Sequence, residues 1–156
     1  MNLKKILIVI VAALALIGIY LFLSTYMSAS VYRAHEGVVV QDNEVVADKV
    51  MIVVAGERKY SLFKPDVIYG TVTVDDGTTY HMILTDDGTS YLGKVYDGFG
   101  ASNLVEVGEM RSTSGLKELY LSLKDIDEEY GSGSILYAPA TNFEDAQAIK
   151  DSLIIK

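Results

Sequence analysis

Asp66–Asp97 reads DVIYGTVTVDDGTTYHMILTDDGTSYLGKVYD. The unit D-D-G-T-[ST]-Y occurs twice within it, at Asp75–Tyr80 and Asp86–Tyr91. Each copy lies between segments rich in Val, Ile, Thr and Tyr that alternate in polarity, the pattern of a half-buried strand. Asp-Asp-Gly suits a type I turn closed by a left-handed glycine, which makes a bulged hairpin. The stretch therefore predicts three consecutive antiparallel strands, with Gly77 and Gly88 at positive φ.

That turn geometry fixes a register. Val74 opposes Thr78, so Thr71 faces His81 and Tyr69 faces Ile83. At the second turn Thr85 opposes Thr89, so Ile83 faces Tyr91. Residues two apart share a face. One face then reads Ile68, Val72, Val74, Tyr80, Met82, Leu84 and Leu92, apolar enough for a core. The other carries Tyr69, His81, Ile83 and Tyr91 among threonines and holds no acid. A charge-depleted aromatic patch has the composition of an interface centre. These four residues are the candidate binding site.

Working outward, Gly37–Gln41 and Glu44–Val46 flank a turn at Asp42-Asn43, and Lys49–Ala55 is an apolar, β-branched run closed by Gly56. Tyr60–Phe63 reads as a short strand before Pro65. On the other side, Asp97–Gly100 is a turn and Leu104–Met110 a strand. Leu116–Lys124 alternates strictly, with Leu119, Leu121 and Leu123 on one face. An acidic loop, Asp125–Glu129, and a flexible Gly131–Ser134 lead to a last strand, Ser134–Ala138. Residues 141–153 predict a helix: Thr141 and Glu144 have capping-box spacing, and Phe143, Ala146, Ile149 and Leu153 form one apolar face. The expected class is mainly β (α+β), an antiparallel sheet of about 7–9 strands with one C-terminal helix.

Ahead of this domain lies Ile6–Leu23, ILIVIVAALALIGIYLFL, free of charge and proline. A helix of that length covers about 27 Å, close to a bilayer's hydrocarbon core. Its apolar residues occupy every face, unlike an amphipathic core helix. It also exceeds the usual apolar region of a signal peptide, although Ser28-Ala29-Ser30 offers small residues for cleavage and hence a secreted alternative. Lys4 and Lys5 precede it, which by the positive-inside tendency puts the N-terminus in the cytoplasm. Tyr20, Phe22, Tyr26 and Tyr32 suit the outer interfacial belt. The expected organisation is a cytoplasmic N-terminus at 1–5, a single-pass transmembrane helix at 6–23, a linker at 24–35 and an extracytoplasmic domain at 36–156.

Composition narrows the chemistry. Beyond Lys4 and Lys5 the chain carries 11 Lys+Arg against 21 Asp+Glu, a net charge of −10. So acidic a domain does not suit nucleic acid. There is no cysteine, and the two histidines, His35 and His81, cannot supply an all-His/Cys zinc site. The Asp-Asp pairs at successive turns lie at opposite ends of a strand, so they cannot share one calcium. Asp125, Asp127 and Glu129 begin an EF-hand spacing, but Tyr130 stands where the glycine belongs and Leu136 where the closing glutamate belongs. No metal or cofactor is expected. No nucleophile elbow or phosphate-binding glycine loop is present. The reading favoured is a non-enzymatic binding or scaffolding domain with an envelope protein as partner; the alternative is an envelope hydrolase using paired carboxylates.

Overall fold

A computed structural model describes residues 3–61, 63–75, 77–98 and 103–154. A long N-terminal helix, α1 (Leu3–Tyr26), is followed by eight strands: β1 (Ser28–Gln41), β2 (Glu44–Lys59), β3 (Val67–Val74), β4 (Thr79–Asp86), β5 (Ser90–Asp97), β6 (Val105–Thr113), β7 (Leu119–Leu123) and β8 (Ile135–Ala138). A short helix, α2 (Lys124–Tyr130), precedes β8, and α3 (Phe143–Ile154) follows it. Each strand pairs antiparallel with the next, and β8 returns to β1 to close a barrel. That seam is short, three pairs from Val38–Tyr137 to Val40–Ile135.

Closure pairs the Val38–Val40 part of β1 with β8 and gives the alternating strands one inside. Ile52 and Val54 of β2, Ile68 and Val72 of β3, Met82 and Leu84 of β4 and Met110 of β6 fill it. Each such side chain contributes about 1.5–3 kcal/mol relative to leaving it in water. Inward glycines let the strands approach closely. Gly56 faces Gly70 across β2 and β3, and Gly93 faces Leu84 across β4 and β5. A Cβ on Gly93 would stand 1.8 Å from the Ile83 carbonyl oxygen.

Four expectations are corrected. The segment 24–35, expected as a linker, holds the end of α1 and the start of β1: Ser28–His35 pair residue by residue with Lys59–Ile52. The domain thus begins at Ser28, one residue beyond Met27, whose carbonyl accepts the Tyr60 N–H at 3.1 Å. Tyr60–Phe63, expected as strand, lies in the β2–β3 connection, with Leu62 outside the described residues. The acidic loop 125–129 is helical, so the described residues of the domain hold two helices. Its single apolar residue, Ile126, gives no periodicity to read. Asp125 and Asp127 in the first turn complement the helix dipole, and Lys124 pairs with Glu128 at 3.4 Å. Gly131–Ser134 is a bonded turn: Asp127 Oδ1 accepts the N–H groups of Gly133 and Ser134, each at 3.0 Å.

The C-terminal helix lies where the spacing puts it, capped one residue off expectation. Asn142 Oδ1 accepts the Asp145 N–H at 2.9 Å, and Asp145, in place of Glu144, reaches back to the Thr141 N–H and hydroxyl at 3.0 and 2.7 Å. Ala146, Ile149 and Leu153 pack outside the barrel on Val38, Tyr120 and Tyr137, a second small core. Tyr120 and Tyr137 meet edge to face, 5.7 Å between centroids. β7 is consequently buried on both sides, its leucines inward and Tyr120 under α3.

Candidate functional site

The first hairpin has the expected register: Thr71 faces His81 and Tyr69 faces Ile83. Its turn differs: among the described residues Asp75 takes the left-handed conformation (φ 50°) and Gly77 does not. Asp75 Oδ1 accepts the Met51 N–H at 2.7 Å, which ties the turn to β2. Asp76 lies outside the described residues.

The second hairpin is tighter than expected. Asp87 N–H donates to the Ser90 carbonyl at 2.9 Å, leaving only Gly88 (φ 95°) and Thr89 in the loop. Asp87 Oδ1 accepts from the N–H groups of Thr89 and Ser90 and from the Thr89 hydroxyl, at 2.8–2.9 Å, and Oδ2 accepts from the Ser90 hydroxyl. These donors, the Ser90 and Thr89 backbone groups first, hold its carboxyl well below the usual carboxylate range. Thr85 now faces Leu92, and Ile83 faces Lys94. The shift from the expected register is odd, so β5 is turned over.

Tyr91 therefore leaves the candidate site. It points inward, is 0% exposed, and its hydroxyl has no hydrogen-bond partner among the described residues. The Arg58 guanidinium lies 5.2 Å from its ring centre. Burial, partly opposed by Arg58, pushes the Tyr91 phenol up to about 12. Lys94 supplies the physical reason for the inversion. It shares a face with Leu92, so burying Leu92 would bury an ammonium as well, which costs far more than exposing a leucine. With Leu92 out, Lys94 pairs with Glu106 at 2.7 Å in solvent.

The other three residues do meet on the outer wall. Tyr69 is 45% exposed and Ile83 37%, side by side across β3 and β4, with exposed His81 two residues along from Ile83. Leu92, 38% exposed, is Ile83's diagonal neighbour on β5. It is the residue the sequence reading missed, and its alternation with Lys94 was the signal. The Lys59 ammonium stands 5.2 Å from the Tyr69 ring, a cation–π contact at the rim. Acids return only at the flanks, with Glu57 opposite Tyr69 and Glu109 opposite Lys94. The wall offers an aromatic, two aliphatic side chains and an imidazole, with Lys94 opposite Ile83 and Glu57 opposite Tyr69.

The barrel's two mouths differ in charge. At the mouth under α2, a cavity of about 300 Å³ is lined by Tyr80, Asp75, Asp125, Glu129 and Tyr130 over an apolar floor. The Tyr80 hydroxyl donates to the Asp125 carboxylate. Burial, then this bond, pushes the phenol up to about 12, so Tyr80 is a proton-holding donor at neutral pH. Among the described residues no group of three or more His, Asp or Glu side chains is placed to hold a metal ion. At the mouth nearer α1, Arg58 pairs with Asp66 at 3.0 Å and lies 4.8 Å from the Tyr60 ring centre. His35 Nε2 donates to the Leu116 carbonyl at 2.8 Å across the same opening.

Comparison with protein-family models, with curated proteins and with solved structures finds no match to this chain.

Proposed function

We propose that this protein is a single-pass membrane-anchored barrel. Its barrel lies outside the cytoplasm and acts as a non-catalytic binding or scaffolding module for another protein of the cell envelope. The observation that carries this reading is the state of α1. It is long and apolar enough to cross a membrane, and none of Lys4–Leu23 is buried against the protein. A core helix would hide such a surface; here lipid is the environment that removes it from water. Lys4 and Lys5 favour a cytoplasmic N-terminus.

The wall of Tyr69, His81, Ile83 and Leu92 is the docking face in this reading. Copurification from solubilised membranes tests it. The double variant Tyr69→Ala, Ile83→Ala loses the partner and keeps the fold. Full retention of the partner moves the docking face elsewhere. Release of the full-length chain by alkaline extraction, or a mature N-terminus near Val31 by mass spectrometry, overturns the anchor and leaves the secreted alternative. A hydrolase reading has its acids at the mouth under α2, where Asp75, Asp125 and Glu129 line one cavity. Asp125→Asn with Glu129→Gln leaves partner capture intact if the binding reading holds.

A further inference from the structure

Phe63 is 82% exposed, more than any other large apolar side chain of the barrel domain among the described residues. A lone exposed aromatic at a loop tip needs no explanation. Phe63 differs because of what it touches. Its ring meets Tyr20 of α1 edge to face, with centroids 5.0 Å apart. Tyr20 lies inside the apolar run, three residues before its end at Leu23, so about 4.5 Å within it along the helix axis.

Described residues on both sides of Phe63 are hydrogen-bonded. Asp66 accepts from the Arg58 guanidinium at 3.0 and 3.3 Å and from the Ser61 N–H at 3.0 Å. Ser61 Oγ accepts the Lys64 N–H at 3.2 Å. The Tyr60 N–H bond to the Met27 carbonyl ties its start to the end of α1. Lys64, exposed beside Phe63, has a stem long enough to lie along a membrane surface while its ammonium group stays in water.

We propose that the β2–β3 connection is a second membrane contact, with Phe63 entering the outer leaflet beside Tyr20 at the boundary of headgroups and acyl chains. The inference rests on α1 spanning the bilayer. At Tyr20 the surroundings of α1 are then lipid, and a ring that meets Tyr20 edge to face with most of its surface free faces that lipid. Two contacts at different points fix the barrel's tilt on the membrane, which a helix alone leaves free to swivel.

The chain contains no tryptophan, so each introduced one reports alone. Full-length Phe63→Trp, Tyr20→Trp and Val105→Trp variants are reconstituted into phosphatidylcholine vesicles, with and without lipid brominated near the headgroup end of its acyl chains. Val105 is exposed at the barrel's far end and is the aqueous control. The expected result is blue-shifted emission and strong quenching for Phe63→Trp, close to Tyr20→Trp, with Val105→Trp unaffected. Quenching of Tyr20→Trp with Phe63→Trp behaving like Val105→Trp overturns this inference and leaves the anchor standing. Absence of quenching at Tyr20→Trp overturns the anchor and this inference with it. If Phe63→Trp fails to fold, Lys64→Trp at the adjacent exposed position gives the same readout.

Discussion

Replacing Gly93 with alanine tests the barrel where its strands come closest. The added Cβ would lie 1.8 Å from the Ile83 carbonyl oxygen, 2.7 Å from its carbon and 2.8 Å from Leu84 Cα. All three are backbone atoms, so no side chain can rotate aside. A comfortable carbon–oxygen separation is about 3.3 Å, so β4 and β5 must part by on the order of 1.5 Å at this point. Ladder bonds near 2.9 Å do not survive that opening. Two lost bonds cost about 1 kcal/mol each, and the forced overpacking about 1–3 kcal/mol. The expected loss is about 3–5 kcal/mol, a large share of the roughly 5–15 kcal/mol that holds a domain. Urea unfolding of the full chain in nonionic micelles, followed by tyrosine near-ultraviolet dichroism, should show the midpoint falling by about 2 M. Two glycines calibrate the result. Gly88→Ala meets open space and bears only the strain of φ 95°, about 1–2 kcal/mol. Gly77→Ala has no positive φ, and its nearest atom, the Val74 carbonyl oxygen at 3.2 Å, needs to give by only a few tenths of an ångström, so it should cost less than Gly93→Ala. Gly93→Ala no less stable than Gly88→Ala would refute the close approach.

Three further outcomes follow from groups at the barrel's ends and surface. Asp87 has a folded pKa below the ordinary 3.8, so its contribution is complete above that value and is lost as pH falls below it. Asp87→Asn should therefore flatten the fall of the urea midpoint below pH 4, and an unchanged slope would show that its hydrogen bonds carry no weight. Tyr80, Tyr91 and Tyr137 are raised mainly by burial from 10.0 to about 12, so their contribution is intact below pH 10 and is lost as pH rises towards 12. Absorbance at the tyrosinate band should show these three ionising last, with unfolding, and Tyr137→Phe should soften the alkaline transition. Residues 28–156 should fold without α1 and keep their melting temperature in EDTA; a drop restored by calcium would reveal a cation site at the acidic mouth.

Legibility tracked the kind of force that decides each feature. Local alternation was enough for β3, β4 and β7, and three-and-four spacing for α3, because those patterns record which side meets the core. The face of β5 was misjudged because an Asp-Asp-Gly turn admits loops of different length. Only Asp87's four hydrogen bonds select the short one. Lys94 held the needed clue, since an ammonium two residues from Leu92 marks that face as the wet one. Tyr69, His81 and Ile83 were placed together from register alone, whereas Tyr91 was lost with the strand that carries it. Closure into a barrel was not readable, because pairing between β1 and β8 leaves no periodic trace in either segment. The helical state of 124–130 was equally hidden, resting on one buried isoleucine and on charges that suit a loop as well.

The seam between Val38–Val40 and Ile135–Tyr137 also sets a schedule for synthesis. It joins residues roughly a hundred positions apart, so it forms late, after the local hairpins have repaid the entropy of their short loops. In the proposed reading α1 leaves the ribosome ahead of the barrel strands and enters the membrane while β8 is still unmade. On that reading the growing chain is a curled, unclosed sheet tethered at the bilayer, with the Val38–Val40 edge of β1 bare until β8 arrives. A truncation that removes β8 and α3 should therefore leave a species caught at that stage, anchored and prone to edge-to-edge association with its neighbours.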